Sequence, residues 1–171
     1  MNWIRTLIRR PKAESEKRGL PDPRESFPPE PLQMQAEGPN PRFLSPLTLA
    51  YVGDSVFELY VRSRLIAHGR TKVGDLHRAA VRYVRASAQA ETLKEIAPHL
   101  SDTEKDIVRR GRNAKGHAAP KSSSPGDYAA ATAFEALLGY LYLSSQGERL
   151  EQLLQAAARH LEEAQNGKPS G

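Results

Sequence analysis

Two apolar stretches decide how this chain folds. The first is Leu47-Thr48-Leu49-Ala50-Tyr51-Val52-Gly53-Asp54-Ser55-Val56-Phe57-Glu58-Leu59-Tyr60-Val61. The second is Tyr128-Ala129-Ala130-Ala131-Thr132-Ala133-Phe134-Glu135-Ala136-Leu137-Leu138-Gly139-Tyr140-Leu141. Both are too long and too evenly apolar for half-buried strands, and both read as buried helices. Asp54 is planted in the first, and Glu135 is the only acid between Asp127 and Glu148. A carboxylate ionised without a partner in such a place is costly. Two of them in one small basic chain point to a divalent cation held between helices, facing something negatively charged.

On the first helix, residues 47, 50, 51, 54, 57, 58 and 61 share a face, so Asp54 is expected near the centre of the apolar stripe. Glu58 follows one turn later on the same side. Gly53 costs about 1 kcal/mol relative to alanine inside a helix. It makes sense if another helix or a ligand approaches closely. Carboxylates from two helices are hard oxygen ligands that suit Mg²⁺, which uses one or two of them plus substrate phosphates. The alternative is that both acids are structural, hydrogen-bonded to backbone or arginine.

Working outward, the chain reads as all-α. Ser45-Pro46 fits an N-cap with proline at the first helical position, and Gly69 fits the stop. A second helical region covers Val73 to Ile96, with a break expected near Tyr83 to Arg85 where the apolar stripe shifts, and Pro98 ends it. Ser101-Asp102-Thr103-Glu104 fits a capping box, and Gly111 is expected to weaken or terminate that helix. Ser124-Pro125-Gly126-Asp127 caps the second apolar stretch. After Gly147 a last helix turns Leu150, Leu153, Leu154, Ala157 and Leu161 inward. No segment alternates convincingly as a strand.

The 171 residues suit one domain with tails. Residues 43–165 are expected to be the folded unit and 166–171 a disordered tail. Residues 1–42 read as a mostly disordered extension, because Pro11, Pro21, Pro23, Pro28, Pro29, Pro31, Pro39 and Pro41 crowd its linker. Its first twelve residues set Trp3, Ile4, Leu7 and Ile8 among arginines, a pattern open to a short basic helix on RNA or a membrane surface. The formal net charge of +5 favours a polyanionic partner. There is no cysteine, so disulfides, thiolate zinc sites and cysteine nucleophiles are excluded. No apolar run is long enough to span a bilayer, so no integral membrane association is expected, and the setting is expected to be cytoplasmic.

Tyr51-Val52-Gly53-Asp54-Ser55-Val56 resembles the ribonuclease III signature, and Ala133-Phe134-Glu135-Ala136-Leu137-Leu138-Gly139 its second acidic motif. With Asp75-Leu76-His77-Arg78 and Arg109-Arg110-Gly111-Arg112-Asn113-Ala114 in the right order, the chain is similar to the short mini-ribonuclease III family from about Leu44 to Leu161. The resemblance implies a helical endonuclease domain, a homodimer, and Mg²⁺-dependent cleavage of double-stranded RNA, with Mn²⁺ able to substitute. It also implies 5′-phosphate and 3′-hydroxyl ends and a role in maturing large-subunit (23S) ribosomal RNA. Asp54 matches the family's catalytic aspartate and Glu135 its metal-binding glutamate. Full-length ribonuclease III has further acids where this chain has Ala50 and Thr132. The short family shares both losses, which leave a thinner ligand set that Glu58 is placed to supplement.

Arg109, Arg110, Arg112, Lys115 and Lys121 fall in a stretch with no acid from Ile107 to Gly126. With Asn113 and Arg78 they are the candidate RNA contacts, since duplex RNA is read largely through phosphates and 2′-hydroxyls. The alternative to a nuclease is a non-catalytic scaffold of the same fold that binds RNA. Retention of both Asp54 and Glu135 argues for catalysis.

Overall fold

The structure, a computed structural model, describes residues 38–115 and 123–166, with side chains as far as His160. Most of the extension, Lys121, the Leu161 side chain and residues 167–171 lie outside the described residues. Six α-helices are present among those described: α1 Pro46–Ala67, α2 Val73–Val84, α3 Ala86–Ile96, α4 Asp102–Arg112, α5 Pro125–Leu143 and α6 Gly147–Asn166. Short 3₁₀ turns lie before α1 at Pro41–Phe43 and between α3 and α4 at Ala97–His99. The expected all-α fold is what forms. No described helix is long and apolar enough to cross a membrane.

Local chemistry sets the helix ends. Ser45 Oγ accepts from Thr48 N at 3.0 Å, with Pro46 filling the first position, where no amide donor is needed. Gly69, at φ +83°, closes α1 with bonds from Gly69 N to Ile66 O and from Arg70 N to Leu65 O. Arg85 is extended between α2 and α3, inside the interval where the stripe shifts. The α4 capping box forms: Ser101 N donates to Glu104 Oε2 at 2.7 Å and Glu104 N to Ser101 Oγ at 3.3 Å. Ser124 caps α5 through Asp127 N.

α5 is the axis of the fold, packing on α1, α3, α4 and α6. Phe134, Leu137, Leu138 and Leu141 are fully enclosed. Phe57 of α1 meets Phe134 edge-on, with ring centroids 5.1 Å apart. A second fastening is the buried Glu104, which receives Arg149 Nε at 2.8 Å and so ties α4 to α6.

Three sequence expectations need correction. α1 buries Leu49, Ala50, Gly53, Phe57, Val61 and Leu65, while Tyr51 and Leu47 face outward and Asp54 sits on the exposed edge of that face. The helix is apolar nearly all round, so periodicity alone does not fix its phase. Gly111 does not end α4. It is buried, and a Cβ there would lie 2.6 Å from Ala133 Cα, so glycine serves a close helix contact. Residues 38–42, assigned to the extension, are already held: Asn40 caps the first 3₁₀ turn and Arg110 Nη1 donates to Arg42 O at 2.8 Å.

Candidate active site

The two acids meet because two glycines let their helices touch. A Cβ at Gly53 would stand 1.8 Å from Glu135 O, and one at Gly139 would stand 2.0 Å from Leu49 O. With no side chain at either position the backbones of α1 and α5 come into direct contact. Asp54 follows Gly53, so its carboxylate emerges at the seam beside Glu135.

The electrostatics reflect that placement. Glu135 has its pKa pushed up to about 7, first by burial and then by the charge of Asp54. Asp54 is raised by burial and by Glu58. Although Asp54 is exposed as a residue, the helix seam still strips water from its carboxyl group. Each carboxylate therefore resists ionising where it stands, and a cation between them would relieve both burial and repulsion.

Gln89, on α3, is the participant that sequence reasoning missed. It is 1% exposed, and its amide lies near enough to Glu135 to lower that group's pKa. No hydrogen bond of ordinary geometry forms, however, and both amide atoms stand without a partner. A buried amide left so is expensive unless a site needs it. The only signal was one long polar residue among the alanines of Ala86-Ser87-Ala88-Gln89-Ala90.

The remaining candidates divide. Glu58 lies within electrostatic reach of Asp54 but is ion-paired to Arg62 at 2.7 Å. Among the described residues no three His, Cys, Asp or Glu side chains cluster as a ready metal cage. Arg110 is spent on structure, donating to Arg42 O and to Leu44 O at 2.7 Å. Arg109 pairs with Asp106 at 2.6 Å. Arg112, Asn113 and Lys115 are exposed at the end of α4. That end lies near the acids, because Gly111 packs on Ala133, two residues before Glu135. Arg78 instead sits on α2, ion-paired to Asp75. Lys121 lies outside the described residues.

Residues 47–146 match the Ribonuclease III domain, which defines the class. The crystal structure of a protein from Fusobacterium nucleatum shares the fold, with a TM-score of 0.65 and 28% identity, covering 72% of this chain and 98% of its own. The relatives narrow the class. A mini-ribonuclease 3 from Symbiobacterium thermophilum is 59% identical over 126 residues, 74% of this chain and 97% of its own length. Another, from Thermoanaerobacter sp., is 50% identical over 120 residues, 70% of this chain and 84% of its own. The chain belongs to the mini-ribonuclease 3 branch of the ribonuclease III family. That membership carries the activity class, an endoribonuclease hydrolase.

Proposed function

We propose that this protein cleaves double-stranded RNA with the help of a divalent cation held by Asp54 and Glu135. The observation that carries the reading is the pair of carboxylates, both with raised pKa, at the glycine contact of α1 and α5. The donor set fits Mg²⁺, which needs few protein carboxylates and completes its shell with waters and substrate oxygens. Mn²⁺ has the same ligand preference and is expected to substitute. When bound, the cation supplies charge against the scissile phosphodiester and lowers the pKa of the attacking water.

The chain's own groups supply position. Asp54 and Glu135 must be ionised together to hold the cation. Gln89, whose buried amide is unpartnered, would turn to donate to the Glu135 carboxylate once that group is ionised. Glu58, through its charge on Asp54, biases the same site. Arg112, Asn113 and Lys115 face solvent at the end of α4 that packs nearest Glu135, and contact phosphates of the duplex. Hydrolysis breaks the bond between phosphorus and the 3′ oxygen, leaving 5′-phosphate and 3′-hydroxyl ends. The catalytic unit in this reading is residues 43–165, working in the cytoplasm on precursor large-subunit ribosomal RNA.

A homodimer is part of the proposal. Phe43 and Tyr51 are 81% and 80% exposed, with Leu47 beside Tyr51 one turn earlier on α1. Outward apolar side chains on and just before α1 suit a self-complementary two-fold contact, which would give two related sites for two strands. The test is cleavage of an end-labelled duplex in Mg²⁺, in EDTA, and with the single strands alone. Metal-dependent cutting of the duplex with 5′-phosphate products supports the reading. Salt-sensitive binding without cutting would instead favour a scaffold.

A further inference from the structure

α3 buries two polar side chains, and they are treated differently. Thr92 donates its hydroxyl to Ala88 O at 3.0 Å. Gln89 leaves both amide atoms without a partner among the described residues. α3 packs on α5, and the Gln89 amide lies near enough to Glu135 to bear on its charge. Asp54 bears on the same carboxylate from α1. The two neighbours differ in kind: Gln89 is neutral and buried, whereas Asp54 is charged and exposed at the seam.

A neutral amide suits a carboxylate that must hold a cation. Lysine or arginine in its place would neutralise Glu135, and another acid would add repulsion. Nε2 has hydrogens to give, and a carboxylate oxygen accepts them. With one Glu135 oxygen so engaged in the interior, the other is left for the seam where Asp54 stands. Cations differ in what they require of such a group. Mg²⁺ takes single oxygens in a near-ideal octahedron and keeps several waters. Ca²⁺ takes about six to eight oxygens and accepts both from one carboxylate.

From this placement we infer that Gln89 sets which cation the site takes. By holding one oxygen of Glu135 it leaves a single oxygen for the metal, which suits Mg²⁺ and denies Ca²⁺ a two-oxygen contact. Gln89 acts through Glu135 and is a positioning residue. Its role rests on the cation reading above and deepens it from affinity to selectivity.

The probes are Mg²⁺ and Ca²⁺, each titrated into the metal-free full chain at fixed ionic strength and at a pH where Glu135 is ionised. The rise in thermal midpoint gives each affinity. Gln89→Leu removes the amide, and Gln89→Met removes it while keeping the length of the side chain. Thr92→Val is the control for disturbing the buried side of α3, and Glu135→Gln gives the background from other carboxylates. Circular dichroism checks folding. In both Gln89 variants the affinity for Ca²⁺ relative to Mg²⁺ is expected to rise about tenfold or more over wild type and Thr92→Val. Infrared difference spectra on adding Ca²⁺ give a second readout, because a carboxylate bound through both oxygens shows a narrower gap between its two stretching bands. That narrowing is expected in the Gln89 variants and not in wild type.

An unchanged ratio, or equal weakening of both cations, overturns the role of Gln89 and leaves the cation site standing. Binding of neither cation to wild type above the Glu135→Gln background overturns both.

Discussion

Gly53→Ala is the substitution that the packing speaks to most directly. The new Cβ would lie 1.8 Å from Glu135 O, 2.7 Å from its carbonyl carbon and 2.8 Å from Gly139 N. All three are main-chain atoms, so no side-chain rotation relieves the overlap. The helices must part by roughly 1.5 Å to restore ordinary contact. Overpacking typically costs about 1–3 kcal/mol, and a rigid backbone clash belongs at or above the top of that range. Alanine's better helix propensity returns about 1 kcal/mol. The net expectation is a loss of roughly 2–3 kcal/mol, lowering the thermal midpoint by about 10 °C. Gly74→Ala is the matched control, because a Cβ there meets only Arg78 Nη1, at 3.7 Å. It should be neutral or stabilising by up to about 1 kcal/mol. Both are read by chemical and thermal denaturation. A Gly53→Ala protein as stable as wild type would refute the direct α1–α5 contact, and with it the placement of the two acids.

Three further outcomes are expected. Glu104 has its pKa lowered, chiefly by its hydrogen bond from Arg149, so its contribution is present above the unfolded carboxyl pKa and fades as pH falls through the folded one. Arg149→Met should therefore cost roughly 2–4 kcal/mol at pH 7 and much less in acid, as denaturation at both pH values would record. Glu135 works in the opposite sense: with its folded pKa raised to about 7, metal-free stability should decline as pH rises from the unfolded value through neutrality. Glu135→Gln should abolish that decline and stabilise the metal-free protein above pH 7 by up to about 3 kcal/mol. Gln89→Leu should leave stability equal or higher, since it removes two unpartnered buried atoms, yet raise the Mg²⁺ concentration needed for half-maximal cleavage by about tenfold or more. An unchanged Mg²⁺ requirement would make Gln89 a packing residue only.

Much of the architecture was legible because it is written in local chemistry. Ser45, Ser101 with Glu104, and Ser124 each announce a helix start through the side chain that caps it. The break at Arg85 showed as a shift in the apolar stripe. What the sequence hid was phase and long-range contact. α1 carries apolar residues outward as well as inward, so the face built around Asp54 was rotated from the true one: Ala50, Phe57 and Val61 belong to both, but Leu49 and Gly53 mark the contact with α5. Gly111 looked like a helix stop because a close approach to Ala133 leaves no trace near it in sequence. α5 ends at Leu143, and Ser145 in the turn after it stands at φ +54°, a left-handed conformation that serine does not advertise. Of the candidate site, the acids were legible as misplaced charges in apolar helices. Gln89 was not, because its meaning depends on α3 packing against α5, and Arg110's role depends on backbone carbonyls more than sixty residues away.

The central claim is that Asp54 and Glu135 jointly hold the cation that drives cleavage. The most direct measurement is the initial rate of duplex RNA cleavage against Mg²⁺ concentration for wild type, Asp54→Asn and Glu135→Gln, with folding verified for each. The account predicts a rate that depends on Mg²⁺ in wild type and falls by about a hundredfold or more in either variant, as loss of transition-state charge stabilisation does elsewhere. Cleavage by either folded variant at the wild-type rate and the same Mg²⁺ requirement would contradict it.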